Sequence, residues 1–296
     1  MNIVLVGNCQ TWPITELMAN HCSNVTVLGS IVVYRSTVDD EKQDMELLKK
    51  ADVIVSQLIT DTFAIEYIQT SNLKTLFPGK VVVIPNLFFQ GQNPDLVYAY
   101  GSERHSVIGP TDAYHSQSLI KSWQAGHELD SIKSDNYISR NFSADELQQR
   151  VEKSFQDLEN RESLVDVKMS DYLRDIWCDR KVFHTFNHPT IDPIRALVGR
   201  VSSMLDIKFV SNDELDSQVL DRLGAIQPPV EIPMFKGLGM SFERSSEILG
   251  VPLDSDLNRD LTKPHLTYSF KEYVELCFRC YDKQAAKMDT LSFTPS

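Results

Sequence analysis

Residues 2–13 read NIVLVGNCQTWP, and this stretch decides the fold of the chain. The nearly unbroken apolar run from Asn2 to Val6 is typical of a strand buried on both faces of a parallel sheet. Small and polar residues follow the run, and Pro13 suits the first turn of a helix. The stretch therefore predicts a strand, a tight turn and a helix in direct succession.

The same alternation recurs along the N-terminal third of the chain. Helical patterns begin at Pro13, at Asp40 and at Asp61, and runs rich in Val, Ile and Leu separate them. These runs predict three further strands, at residues 24–28 with an extension to 34, at 52–58 and at 80–84. This order predicts right-handed crossovers and an α/β fold, an open parallel sheet with flanking helices.

The pattern changes after this sheet. Residues 87–110 are rich in Gly, Asn, Pro and aromatic side chains without clear periodicity, and we expect a functional loop there. The remaining chain is mainly α-helical in its patterning, with capping boxes that begin at Ser143 and Ser269, whereas residues 227–239 are expected to be irregular. Two domains follow: an α/β ligand-binding domain at residues 1–110, and a mainly helical domain that covers the site at residues 111–296.

The composition is that of a soluble globular protein with a marked negative charge. Hydrophobic residues make up 42% and charged residues 24%, and 29 Lys and Arg stand against 41 Asp and Glu, for a net charge of −12. Such a charge disfavours nucleic acid and anionic membranes as partners, and no apolar run is long enough for membrane insertion. Five cysteines without a disulfide spacing, and a start that lacks a signal peptide, predict reduced thiols and a cytoplasmic location.

The predicted ends of the strands carry the chemistry, because ligands of open α/β sheets bind beyond the carboxyl ends. Cys9 stands between the first strand and the first helix, where backbone N–H groups attract anions and lower the pKa of a thiol. We expect Cys9 to act as a thiolate nucleophile or to line a phosphate cradle, with Asn8 and Gln10 as donors to an oxyanion. A small cysteine buried in a turn is the alternative.

Two segments carry histidines suited to proton transfer near neutral pH. His115 lies beside Ser116 at a predicted helix start, and His188 follows Asn187 after a strand-like alternation that holds His184. His115 and His188 are the candidate bases, His184 is the weaker one, and a hydrogen-bonded structural role is the alternative for each. A zinc site is disfavoured, because i, i+4 histidines need a helix and the residue before a proline resists helical geometry.

Other motifs indicate packing or are absent. Cys277 and Cys280 have the spacing of a redox pair, but they lie within an amphipathic helix pattern, which favours core packing. Glycine-rich nucleotide fingerprints, a P-loop and the G-x-S-x-G elbow of α/β hydrolases do not occur in the sequence. The candidate functional residues are therefore those at the strand ends and the histidines.

Taken in order, these motifs resemble the WcbI-type family of polysaccharide (capsule) biosynthesis proteins. The resemblance extends over roughly the first 200 residues and rests on five segments, each of which follows a predicted strand or contains a histidine. They are residues 6–10, 57–61, 84–98, 114–116 and 185–189.

The resemblance implies an enzyme that transfers an acetyl group from coenzyme A, used as a co-substrate without a metal, to a sugar hydroxyl of a polysaccharide precursor. The catalytic residues would then be Cys9, His115 and His188. The coenzyme would be bound by Gly7, Asn8, Gln10, Gln57, Asn86, Ser116 and Asn187. By position alone, the cations that could meet its phosphates are Arg35, Lys121 and Arg195.

Two other classes of function remain open at this stage. An acyl-ester hydrolase could use the same sheet edge, and it would turn over without a sugar. A non-catalytic component of a polysaccharide assembly complex would tolerate replacement of Cys9 and the histidines. Self-association into a homo-oligomer is compatible with each of these functions.

Overall fold

A computed structural model describes residues 1–101, 105–210, 219–243 and 245–285, together with the backbone of residues 292–294. The chain divides into two compact units, each assembled from three segments. The first unit comprises the described residues of 1–88, 156–175 and 188–223, and the second those of 89–155, 176–187 and 224–296. This division differs from the predicted boundary at residue 110, because the chain returns twice to the first unit.

Eleven strands lie within the described residues. In chain order they are β1 (Asn2–Gly7), β2 (Thr26–Val32), β3 (Val53–Gln57), β4 (Val81–Ile84), β5 (Leu96–Tyr100), β6 (Tyr114–Ser116), β7 (Phe183–Thr185), β8 (His188–Pro189), β9 (Ile248–Gly250), β10 (Leu266–Tyr268) and β11 (Ser292–Thr294). The predicted open parallel sheet is confirmed: β1 to β4 form a four-stranded sheet in the order β2-β1-β3-β4, and all its pairs are parallel.

The α-helices of the described residues flank this sheet in the first unit and dominate the C-terminal half, as the sequence predicts. They are α1 (Thr11–His21), α2 (Glu41–Lys49), α3 (Thr70–Leu76), α4 (Gln117–Gln124), α5 (Ala144–Glu162), α6 (Ser170–Ile176), α7 (Ile191–Met204), α8 (Ile232–Gly237) and α9 (Phe270–Ala285). None of these described helices has the length and apolarity that a membrane crossing requires.

The sheet of the first unit is buried on both faces, which explains the continuous apolar runs. Val4, Val6 and Ile54 belong to one core cluster, together with Leu48 of α2 and Leu73 of α3. Successive side chains of a strand point to opposite faces, so the equally buried neighbours of Val4 in β1 face the other side. A sheet covered on both sides leaves only its edges and strand ends open to ligands.

Local capping decides several helix starts. Ser143 N and Oγ donate to Glu146 Oε2, and Glu146 N donates back to Ser143 Oγ, which confirms the predicted capping box. Ser269 and Glu272 form the same arrangement at the start of α9. The predicted helix start at Asp61 is wrong: Asp61 accepts a hydrogen bond from Ser71 Oγ instead, and α3 begins at Thr70.

The second unit corrects three expectations. The segment predicted as a loop contains β5, which pairs antiparallel with β6 and β11. His115 lies in β6 rather than at a helix start, and α4 begins directly afterwards at Gln117. The segment 227–239, expected to be irregular, contains α8. Each element is three to six residues long, too short for hydrophobic periodicity to identify.

Candidate functional site

Four carboxamide side chains meet where three parallel strands end, and we call Asn8, Gln10, Gln57 and Asn86 the amide cluster. The backbone N–H of Asn8 donates to Gln57 Oε1 at 2.8 Å, and Asn8 Nδ2 donates to Asn86 Oδ1 at 3.0 Å. Gln10 Nε2 donates to Asn86 Oδ1 at 3.2 Å, and Gln10 Oε1 accepts from Gln57 Nε2 at 2.9 Å. Residues predicted from separate strand ends are thus joined by one hydrogen-bond network.

Gln10 lies at the centre of this network and is fully buried. Its carboxamide also bonds both backbone groups of Leu87, with Nε2 donating to the carbonyl at 2.8 Å and Oε1 accepting from the N–H at 3.1 Å. Its backbone N–H donates to Asn8 Oδ1 at 2.9 Å. Losing a partner here would cost about 1–3 kcal/mol for each buried polar group left unsatisfied, so the network fixes the turn after β1.

Gly7 is required by the close approach of the cluster. A Cβ atom at this position would lie 2.5 Å from Gln57 Oε1, so any larger residue would push Gln57 away. The turn then continues into α1, with Thr11 N donating to the carbonyl of Asn8 at 3.0 Å. The spacing of glycine and amides in the sequence therefore has a steric reason as well as a hydrogen-bonding one.

Cys9 is half-buried at the tip of this turn. Burial raises its pKa to about 11, and this effect exceeds the opposing effect of the backbone N–H groups of Cys9 and Gln10, which hydrogen-bond its sulfur. The expectation of a thiolate with a lowered pKa is therefore corrected: the thiol is protonated at neutral pH. The loss of hydration on burial destabilises the thiolate by more than the two N–H groups stabilise it.

Three side chains that the sequence did not single out as a group lie beside Cys9. The guanidinium carbon of Arg35 is 5.2 Å from the ring centroid of Trp12 and 5.8 Å from that of Tyr34. The pKa of Tyr34 is raised, first by partial burial of its hydroxyl and then by the nearby Cys9, while Arg35 opposes both. These contacts place Arg35, one of the three candidate cations, beside the Cys9 turn.

His115 is enclosed in the second unit, and its surroundings contradict its expected role as a base. Its Nδ1 lies 3.1 Å from the hydroxyl of Tyr281, and its Nε2 lies 3.0 Å from the carbonyl of Val107. The side chain is fully buried, and burial lowers its pKa to about 4. Both ring nitrogens are occupied, so the structural alternative accounts for His115.

Ser116 serves as the N-cap of α4 rather than as an open ligand group. Its Oγ accepts from Leu119 N at 3.1 Å and donates to the carboxylate of Asp95. Asp95 also accepts from the backbone and the hydroxyl of Ser118, at 2.9 and 2.7 Å. Burial nevertheless raises the pKa of Asp95 to about 6. Keeping this carboxylate ionised in the interior therefore costs folding free energy.

Asn187 is held by aromatic side chains of the second unit. Its Oδ1 accepts from the hydroxyl of Tyr114 at 2.7 Å, and its Nδ2 donates to the hydroxyl of Tyr98 at 3.0 Å. The ring of Phe186 packs edge-on against Tyr98, with centroids 4.8 Å apart. These contacts hold the Asn187 carboxamide within the second unit. His188 follows it in sequence and is half-buried in β8.

The remaining candidates are accounted for locally. His184 is buried in β7, as expected for the weaker candidate. Lys121 lies over the ring of Phe142 at 3.9 Å, and Arg195 pairs with Asp192 at 2.7 Å. Among the residues that the structure describes, no three His, Cys, Asp or Glu side chains gather in a way that could hold a metal ion.

The parallel sheet, its polar strand ends and a cysteine-bearing turn define an open α/β protein, the class whose ligands generally bind at the carboxyl edge of the sheet. The chain belongs to the WcbI family of enzymes: the family model described as polysaccharide biosynthesis enzyme WcbI matches residues 2–209. The resemblance seen in the motifs is therefore confirmed. No curated protein matches the sequence.

The fold is also that of a solved structure of WcbI, itself called a polysaccharide biosynthesis enzyme. The two chains share 14% identity with a TM-score of 0.64, over 96% of this chain and 90% of the other. That structure is described as the native protein without a disulfide bond between coenzyme A and one of its cysteines. At this identity the likeness shows a common fold.

The first prediction concerns the acidity of Cys9. Because its pKa lies near 11, the alkylation rate by iodoacetamide should rise about tenfold per pH unit from pH 7 to 9.5 without levelling off. Cys9→Ser, treated in parallel, supplies the background from the other four thiols. A plateau below pH 9 would show instead that the turn stabilises the thiolate.

The second prediction concerns His115. Its pKa in the folded state, about 4, lies below the unfolded value near 6.5, so the unfolded chain binds the extra proton between these values. The neutral ring stabilises the fold above pH 6.5, and this contribution falls by about 3 kcal/mol as the pH decreases to 4. Asp95 acts in the opposite direction, because its folded pKa is raised.

The test is therefore a difference between two proteins. The free energy of urea unfolding is measured for the wild type and for His115→Gln between pH 7 and 4.5, with exposed His265→Gln as the control. The advantage of the wild type over His115→Gln should shrink with decreasing pH. Parallel curves for the two proteins would refute the buried neutral imidazole.

Proposed function

We propose that this enzyme transfers an acyl group, such as acetyl, from coenzyme A to a sugar hydroxyl of a polysaccharide precursor. The observation that carries the proposal is the amide cluster, which holds a cysteine-bearing turn rigidly at the carboxyl end of an open parallel sheet. The family of polysaccharide biosynthesis enzymes supports a sugar as acceptor. The description of the similar structure, which concerns coenzyme A and a cysteine, supports the donor.

Cys9 is the cysteine best placed to meet the thioester. Cys22, Cys277 and Cys280 are buried, and Cys178 is half-buried in the second unit, where it does not follow a strand of the parallel sheet in sequence. Cys9 alone follows a strand of the parallel sheet at its carboxyl end. All five are free thiols, which suits a reducing compartment such as the cytoplasm.

The protonated state of Cys9 favours direct transfer over an acyl-cysteine intermediate. The sugar hydroxyl attacks the thioester carbonyl, a C–O bond forms, the C–S bond breaks, and coenzyme A leaves as a thiol. His188 takes the hydroxyl proton and returns it to the departing sulfur, because it is the one of the three candidate histidines that is half-buried rather than buried. The Cys9 thiol and the N–H groups around it line the site of the carbonyl.

The third prediction tests this function. Acetyl transfer from radiolabelled acetyl-coenzyme A to a set of oligosaccharides is measured together with coenzyme A affinity by calorimetry. His188→Gln should lose at least about 10²-fold in transfer rate while its affinity stays within a few-fold, because a base acts on the reaction rather than on binding. His265→Gln, an exposed histidine of the second unit, is the matched control and should behave as the wild type.

Each contrary outcome has a distinct meaning. Release of acetate at the same rate with and without sugar would identify a hydrolase. A normal transfer rate in His188→Gln would show that His188 is not the base. A wild type that binds coenzyme A but never turns it over would be a binding component of a polysaccharide assembly system.

A further inference from the structure

The ends of β1 and β2 lie side by side at the candidate site. Gly7 of β1 pairs with Val32 of β2, and the N–H of Val33 donates to the carbonyl of Gly7 at 2.9 Å. Cys9 and Tyr34 therefore each follow a paired position by two residues. The chain then turns sharply, because Arg35 N donates to the carbonyl of Val32 at 2.8 Å. Tyr34 and Arg35 are in this way placed next to the Cys9 turn.

The contacts of Arg35 differ from those of Arg195 and Arg200, two other arginines of the first unit. Its guanidinium lies against the rings of Trp12 and Tyr34, and within the described residues no carboxylate pairs with it. Arg195 pairs with Asp192, and Arg200 makes two bonds to Asp171. Arg35 is exposed and Tyr34 is 56% exposed, so a cation and an aromatic face are offered to solvent.

We infer that Trp12, Tyr34 and Arg35 form an acceptor platform, which binds a sugar carrying a carboxylate or phosphate beside Cys9. Aromatic faces carry partial negative charge and attract the C–H groups of a sugar ring, while a guanidinium binds carboxylate or phosphate through two parallel hydrogen bonds. The platform joins both features at one place. In a chain of net charge −12, such a local cation is needed to hold an anionic ligand.

The length of the coenzyme A molecule favours the sugar acceptor as the occupant of the platform. This step rests on the proposed function: with the thioester at Cys9, the whole pantetheine arm separates the nucleotide phosphates from the reacting carbonyl. A cation next to Cys9 therefore meets the molecule that receives the acyl group. Arg35 then determines acceptor specificity, and it takes no proton during the reaction.

The fourth prediction uses saturation-transfer NMR with three probes: glucose, glucuronate and glucose 1-phosphate. At least one anionic probe should bind about tenfold more tightly than glucose, the effect expected of a charge-assisted hydrogen bond. The two anionic arms distinguish a uronic acid from a phosphorylated sugar. Arg35→Gln should abolish the preference, whereas Lys49→Gln, the same charge change at an exposed position of α2, should keep it.

Three results would refute the acceptor platform: equal affinity of the wild type for glucose and the anionic probes, no binding of any probe, or an unchanged preference in Arg35→Gln. So would a loss of coenzyme A affinity in Arg35→Gln, since Arg35 would then hold the coenzyme phosphates. The sugar measurements are made with and without coenzyme A. Failure of the wild type to bind coenzyme A would refute the proposed function. The sugar probes would still test whether the platform prefers anionic sugars.

Discussion

The hydrogen bonds of Gln10 to Asn86, Gln57 and Leu87 are the constraint on which the candidate site depends. They join the ends of three parallel strands that would otherwise finish as separate loops. Because Gln10 is fully buried, its bonds are costly to break and hold the turn in one conformation. Gly7 gives the network room, and Cys9 is carried at its tip.

Burial determines the protonation states of Cys9 and His115. A turn at a helix start is favourable for a thiolate, but Cys9 is desolvated enough that its pKa moves in the opposite direction. His115 is likewise kept neutral, and its ring joins β6 to a tyrosine of α9. The proposed reaction therefore takes half-buried His188 as its base and a sugar hydroxyl as its nucleophile.

The sequence was sufficient for the parallel sheet and for the polar residues at its edge. Continuous apolar runs locate all four strands. Asn8 and Gln10 follow from the rule that ligands bind at carboxyl ends, Gln57 and Asn86 follow from the family resemblance, and the four side chains do meet. The surroundings of His115 and Ser116 could not be predicted, because β5 and β6 are short and pair through tertiary contacts. The grouping of Tyr34 and Arg35 with Trp12 depends on the β1–β2 register, which no local pattern specifies.

The most direct test of this account is a crystal structure of the protein with acetyl-coenzyme A. The account predicts the thioester in van der Waals contact with the Cys9 sulfur, and the bonds among Asn8, Gln10, Gln57 and Asn86 preserved. A coenzyme bound away from the turn between Gly7 and Gln10, or an amide cluster that comes apart on binding, would contradict it.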